Sequence, residues 1–405
     1  MAASSSSDRR WTSLRAQIAA GLLVILGAAA VVFIWLQPSN ESGVTITRIA
    51  TGLENPRGIA VLPDGRLLVV QAGNGLDTND PSLETGSLSI FEDVNRDGDY
   101  DDDGETEPIF TLVASYNTLT EFGTGHDEVG GLGDIVLLED GRIFLTRDDP
   151  SVGYAADGSP RGINVAEIST EFEFERNLIA RNATLNALDF DAEKEVFYVA
   201  ESGANRMIEV AMDGAVRVVA AFPTLEQGQQ AVPSGLAIDP STGDILVVLF
   251  SGQYGDDSGE VISYTEGASR IMRVNPITGE QVEEIAGLTT AVDVAVDGKG
   301  NIFVVEMTNA PPPPRMPRDF DLSNPDVGPH QGGYNRFAGT VTMHPVGGGS
   351  PVTLARALDT PTNITHVNGV LFVSVGQGTP GRPIVGSQGT TRIVGEIYLI
   401  TGFLR

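Results

Sequence analysis

The sequence predicts an all-β fold, a six-bladed β-propeller of four-stranded blades, preceded by one transmembrane helix. Three observations carry this prediction. A strand–turn–strand unit recurs six times along the chain. Each copy is followed by one or two further strand-like runs at a steady spacing, as blades of a propeller require. The last copy lacks its fourth strand, and a spare strand precedes the first copy.

The first unit is Ile59-Ala-Val-Leu-Pro-Asp-Gly-Arg-Leu-Leu-Val-Val70, two apolar runs about a Pro-Asp-Gly turn. It returns over residues 135–146 with turn Glu139-Asp140-Gly141, over 188–200, and over 236–248 with turn Pro240-Ser-Thr-Gly243. Residues 294–305 turn at Asp297-Gly298 and residues 364–374 at Asn368-Gly369. Asp-Gly and Asn-Gly supply the positive φ that a tight hairpin needs. Third strands are expected over 87–91, 164–168, 207–210, 270–274, 340–344 and 396–400. Fourth strands are expected over 108–113, 172–179, 216–220, 281–285 and 352–356. Thr45-Ile-Thr-Arg-Ile-Ala50, joined to the first hairpin by Gly52-Leu53, is the strand left to complete the sixth blade. Such closure removes open sheet edges.

The ends and the composition set the surroundings. Residues 18–36 form an apolar run without charge, and nineteen helical residues span roughly 28 Å, close to the hydrocarbon thickness. Arg9, Arg10 and Arg15 precede the run and keep its N-terminal end in the cytoplasm. The expected order is a basic cytoplasmic segment (1–17), a membrane anchor (18–36), a linker (37–44) and the propeller (45–405). The alternative is a cleaved signal peptide and a secreted protein; either way residues 40–405 lie outside the cytoplasm. The chain carries a net charge of −29, and Met1–Leu36 contributes +2, so the remainder carries −31. A surface this acidic repels phosphate backbones and excludes nucleic acid as a partner. With no cysteine, disulfides, thiol nucleophiles and thiolate metal sites are excluded.

Gly-Leu-x-x-Pro-x-Gly-Ile-Ala-x-x-Pro-Asp-Gly-x-Leu, beginning at Gly52, is shared loosely by many NHL-like propellers. More specific are Val232-Pro-Ser-Gly-Leu-Ala-Ile238, Leu249-Phe-Ser-Gly-Gln253, and Gly287-Leu-Thr-Thr-Ala-Val-Asp-Val-Ala-Val296 with Phe303-Val-Val-Glu-Met307. On these motifs the chain resembles the ScyD/ScyE family over residues 45–405. The resemblance implies an exported six-bladed propeller and assigns no reaction.

Propeller topology sorts loops onto two faces. The long insertions 71–86, 147–162, 251–269, 307–339 and 376–395 all join second to third strands, so all five crowd one mouth, where a small-molecule or protein ligand is expected. Around that mouth and the channel beneath it the pattern places Arg57, His126, Asp134, Arg147, Asn186, Glu201, Asp293, Glu306 and Asn363. Asp134, Glu201, Asp293, Glu306 and Asn363 could hold a divalent cation through oxygen ligands, as in a metal-dependent lactonase-type hydrolase. The alternative is a wet channel with polar strand ends and no metal.

Two further motifs stand out. Asp93-Val-Asn-Arg-Asp-Gly-Asp-Tyr-Asp matches the first nine positions of an EF-hand-like loop, so Asp93, Asn95, Asp97, Asp99 and Asp101 are expected ligands for a structural Ca²⁺. The twelfth position is Gly104, with Glu105 one residue late. His126-Asp-Glu-Val-Gly-Gly131, with Asp148 after the second strand, is similar to the catalytic region of quinoprotein sugar dehydrogenases, and His330-Gln-Gly-Gly333 echoes it. That similarity implies His126 as a base for a hydroxyl proton. The expectation is therefore a binding or scaffold propeller, with an enzyme at the same mouth as the alternative.

Overall fold

The computed structural model describes residues 43–76, 83–118, 126–148, 162–252, 254–255, 261–262, 264–313, 326–327, 333–386 and 389–403. The chain divides into two compact units, Met1–Pro38 and Ser39–Arg405. The first unit, and with it the expected anchor over 18–36, lies outside the described residues. Among the described residues no helix is long and apolar enough to cross a membrane.

Six four-stranded antiparallel sheets make the second unit. Blade 1 runs Pro56–Val61, Leu67–Gln71, Gly86–Phe91 and Thr106–Val113. Blade 2 runs Leu132–Leu137, Ile143–Arg147, Ile163–Ile168 and Phe174–Arg181. Blade 3 runs Leu185–Asp191, Val196–Glu201, Arg206–Ala211 and Val216–Ala221. Blade 4 runs Pro233–Ile238, Ile245–Leu249, Ser269–Val274 and Gln281–Leu288. Blade 5 runs Ala291–Val296, Ile302–Glu306, Gly339–His344 and Val352–Leu358. Blade 6 runs Asn363–Val367, Val370–Val375 and Gly395–Thr401, and Thr45–Leu53 is its fourth strand. The first strand of each blade touches the first strands of both neighbours, and that of blade 6 touches that of blade 1, so the ring closes.

The core is divided among six seams. Each of six buried apolar clusters spans two successive blades, from blades 1–2 round to blades 6–1. A second strand is packed on both faces, which is why Leu67-Leu-Val-Val70 and Ile245-Leu-Val-Val248 are continuous apolar runs rather than alternating ones. Outer strands are wetter: Val216, Arg217 and Val218 are all exposed.

Two strands differ from expectation for local reasons. The fourth strand of blade 2 starts at Phe174 because Phe172, at φ 63°, closes a turn onto Ser169. The closing strand continues to Leu53 through two register shifts, after Arg48 and after Ala50. Small sheets in the connections and insertions were not foreseen. Tyr116–Asn117 pairs with Val129–Gly130, and Tyr254–Gly255 with Val261–Ile262. Asp326–Val327 of the blade 5 insertion pairs in parallel with Pro383–Gly386 of the blade 6 insertion.

Candidate functional site

The connection from blade 1 to blade 2 and the blade 5 insertion build one buried polar cluster on the insertion face. The ribbon Tyr116–Asn117/Val129–Gly130 presents His126, Asp127 and Glu128 together. Tyr334 arrives from the blade 5 insertion. Its hydroxyl lies 3.1 Å from His126 Nδ1 and donates to Glu128 Oε1 at 2.7 Å. The His126 Nδ1–Glu128 Oε2 distance is 3.5 Å. Gly333 lies against the same imidazole, where an added Cβ would stand 2.8 Å from His126 Cδ2. His330 lies outside the described residues.

Opposite charges stand side by side in this cluster. Arg57 Nη2 donates to Val129 O at 2.6 Å, and Glu128, Tyr116, Asp148 and Tyr334 surround its guanidinium. Burial pulls Arg57 below its ordinary pKa, and Glu128 works against that. Glu128 is nonetheless held below the usual carboxylate range. Burial raises it, but His126, Tyr334 and Arg57 together lower it more. Tyr116 donates to Asp148 Oδ2 at 2.5 Å, and burial first, then Asp148, pushes its phenol well up. Below the imidazole, Asp127 accepts from Asn117 (2.6 Å), Thr379 (2.7 Å) and Arg382 (2.8 Å), the last a fully buried ion pair. His126, Arg57 and Asp148 were expected from sequence. Glu128, Tyr116, Tyr334 and Arg382 were not, although the acidic pair directly after His126 was a signal.

The other expected residues lie outside this cluster. Arg147 is buried and lines a void of about 20 Å³ with Phe110, Leu145 and Phe174, between blades 1 and 2. Side chains alternate along a strand, and Leu145, two residues earlier, faces that same seam. Glu201 is clasped by Arg181, at 2.7 Å, and by Arg206. Glu306 accepts from Thr289 N at 2.7 Å and Thr340 Oγ1 at 3.1 Å, and burial raises its pKa. Asn186 offers its backbone carbonyl to Thr146 Oγ1 at 3.0 Å. Asp134, Asp293 and Asn363 do meet the channel: Asn363 Nδ2 donates to Asp293 Oδ2 at 2.7 Å, and the charge of Asp134 acts on Asp293. Among the described residues no three His, Asp or Glu side chains are grouped to hold a metal ion.

In the acidic loop the carboxylates serve the loop itself. Asp93 accepts from Asp97 N and Gly98 N, each at 3.0 Å, and Asn95 Nδ2 donates to Asp97 and Asp102. Glu105 is buried and accepts from Val94 N at 3.0 Å. Asp101 accepts from Thr51 N at 2.7 Å, so the loop fastens onto the ring-closing strand. Asp99 accepts from Asp101 N at 3.1 Å.

These features define a six-bladed β-propeller with a built-up insertion face. Similar solved structures include the calcium structure of a family AA12 carbohydrate-active enzyme from Trichoderma reesei. It is 13% identical, with 91% of this chain and 97% of that one covered, at a TM-score of 0.51. The holo form of the pyranose dehydrogenase PQQ domain from Coprinopsis cinerea is 14% identical, with 90% and 97% covered, at 0.49. Virginiamycin B lyase from Staphylococcus aureus is 11% identical, with 90% and 99% covered, at 0.44. At these identities the likeness is one of fold alone. No protein-family model matches the chain, and no curated protein matches it in sequence.

Proposed function

We propose that this propeller is a membrane-anchored, extracytoplasmic binding module of the ScyD/ScyE kind, taking a small hydroxyl-bearing ligand at the insertion face. The observation that supports it is the His126–Tyr334–Glu128 contact. Imidazole, phenol and carboxylate lie within 3.5 Å of one another and offer both donors and acceptors. Such convergent polar groups fix the orientation of a small ligand. The test is a thermal-shift screen of the full chain in detergent against monosaccharides, sugar acids and lactones. A ligand at about 100 times its Kd stabilises by about 2.7 kcal/mol. The proposal expects that shift in the wild type and its loss in Tyr334→Phe; an equal shift in both would contradict it.

A second reading is favoured by the same contact. Glu128 and Tyr334 hold His126 at Nδ1, the arrangement in which Nε2 serves as a general base for a hydroxyl proton. Mass-spectrometric search for turnover of the panel, lost in His126→Gln, tests it. Two cofactor-bound versions of the enzyme fit less well. A polyanionic quinone needs several cations, but Arg147 faces a blade seam, Arg382 is held by Asp127 and Arg336 by Asp359. A lactonase-type metal needs oxygen donors that Glu201 and Glu306 give to their own neighbours.

Calcium in the loop beginning at Asp93 remains part of the proposal. Seven carboxylates lie between Asp93 and Glu105. Partial desolvation, then repulsion from Asp97, Glu105 and Asp99, raises the pKa of the exposed Asp102, and a cation bound there would offset that repulsion. Calorimetric calcium titration of the chelator-stripped protein should find one site, lost in Asp97→Ala. No heat in the wild type would end this reading.

A further inference from the structure

The channel wall repeats itself. One residue at the head of each blade's first strand reads Gly58, Asp134, Ala187, Gly235, Asp293 and Asn363 round the ring. Blades 1–3 and blades 4–6 thus begin with the same pair, glycine then aspartate. Each glycine makes room for the carboxylate of the next blade. A Cβ on Gly58 would stand 2.7 Å from Asp134 Oδ1, and one on Gly235 would stand 2.4 Å from Asp293 Oδ1. Each aspartate in turn fastens its blade to the following one. Asp134 Oδ2 accepts from Leu188 N at 3.2 Å, and Asp293 Oδ2 accepts from Ile364 N at 2.9 Å.

The third position breaks the symmetry. Where blade 3 has Ala187, blade 6 has Asn363, whose amide nitrogen already donates to Asp293. The oxygen of that amide is buried and has no hydrogen-bond partner. A buried acceptor without a donor is costly. An amide and a protonated carboxyl satisfy each other completely, N–H to C=O and O–H to C=O. A carboxylate cannot supply the second of these bonds.

We propose that the channel still holds one proton at pH 8, and that it rests on Asp293, where the Asn363 amide oxygen receives it. The surrounding groups favour this. From blade 2, Asp134 bears on Asp293, and from blade 3, Asp189 does. On blade 1, Arg57 precedes Gly58 but its guanidinium belongs to the mouth cluster. Blade 4 contributes the neutral Ser234. On blade 6, His366 stacks on Phe303 and has Asp297 as its charged neighbour. Glu306, on the second strand of blade 5, is occupied by Thr289. Burial, followed by the charge of Asp134, raises Asp293 well above the ordinary carboxylate range. Burial alone does most to push Asp134 up to about 7 and Asp189 up to about 6. The proton keeps Asp293 from setting a further carboxylate charge against Asp134 across the channel.

Infrared spectroscopy reads the proton directly. At pH 8, above the titration of Asp134 and Asp189, the full chain should show the carbonyl stretch of a buried protonated carboxyl. That band should vanish in Asp293→Asn and persist in Asp134→Asn. Asn363→Ala, which removes the acceptor, should shift the band and lower the pH at which it disappears. The proposal is overturned if the band survives Asp293→Asn, or if it is lost in Asp134→Asn instead. It is also overturned if the wild type shows no such band. Asp293→Asn replaces a protonated carboxyl by an amide of the same shape, so it is expected to fold at all pH values tested.

Discussion

The cluster on the insertion face and the ring of acids in the channel are both buried and polar, yet they are built on opposite plans. At the face, charges of opposite sign stand together: Arg57 feels Glu128 and Asp148, Arg382 pairs with Asp127, and Arg336 with Asp359. In the channel, Asp134, Asp189 and Asp293 repel one another and are held by backbone N–H groups instead. The difference shows how one ring can bury paired opposite charges at its face and like-charged acids in its channel. Burial of a charge is tolerated when it is paired, and is otherwise relieved by protonation.

Breaking a compensated pair should have the largest effect. Arg382→Ala strands Asp127 without its cation in a fully buried place, at a cost of about 3–5 kcal/mol by urea denaturation. A double replacement, Arg382→Met with Asp127→Leu, should recover part of that loss. Next, Tyr334→Phe removes a hydrogen bond to an ionised carboxylate and should cost about 1.5–3 kcal/mol. On the channel side, Gly235→Ala forces a methyl against Asp293 Oδ1 and its Cα and should cost about 1–3 kcal/mol. Its counterpart Gly58→Ala should behave alike if the two halves are equivalent. The smallest effect is expected at the ring seam, where Asp101→Ala removes one acceptor from Thr51 N, about 0.5–1.5 kcal/mol.

The two regions should also respond to pH with opposite sign. Asp134 and Asp189 bind protons more tightly folded than unfolded, so stability falls as pH rises from about 4, the unfolded value, through about 6 to about 7. Glu128 binds its proton less tightly folded than unfolded, so its contribution is present above the ordinary glutamate range and is lost as pH falls below it. Unfolding free energy measured from pH 4 to 8 should keep its alkaline slope in Glu128→Gln, lose part of it in Asp134→Asn and lose the largest share in Asp293→Asn.

Much of the ring was legible because it repeats. Turn residues at fixed offsets set the hairpins, and the missing fourth strand of blade 6 pointed to residues 45–50. Channel positions followed from the same alignment of repeats, which is why Asp134, Asp293 and Asn363 were found. Asp189 was missed although it lies two residues after Ala187, on the same side of the strand. The face cluster was only half legible. His126 and Tyr334 are 208 residues apart, one on the blade 1-to-2 connection and one on the blade 5 insertion, so no period links them. Arg147 and Glu201 looked available because both end second strands. Alternation from Leu145 and Val199 turns them into the seams with the preceding blades.

Under the proposed function, ligand is taken on the insertion face, around His126, Glu128 and Tyr334. Hydrogen–deuterium exchange of the full chain, with and without the strongest binder from the sugar and lactone panel, tests it most directly. Binding there should slow exchange over residues 114–118, 126–131 and 333–338 and leave the hairpin turns on the other face unchanged. Slowed exchange over residues 137–141, 190–195 and 239–243 instead would place the ligand on the opposite face and contradict it.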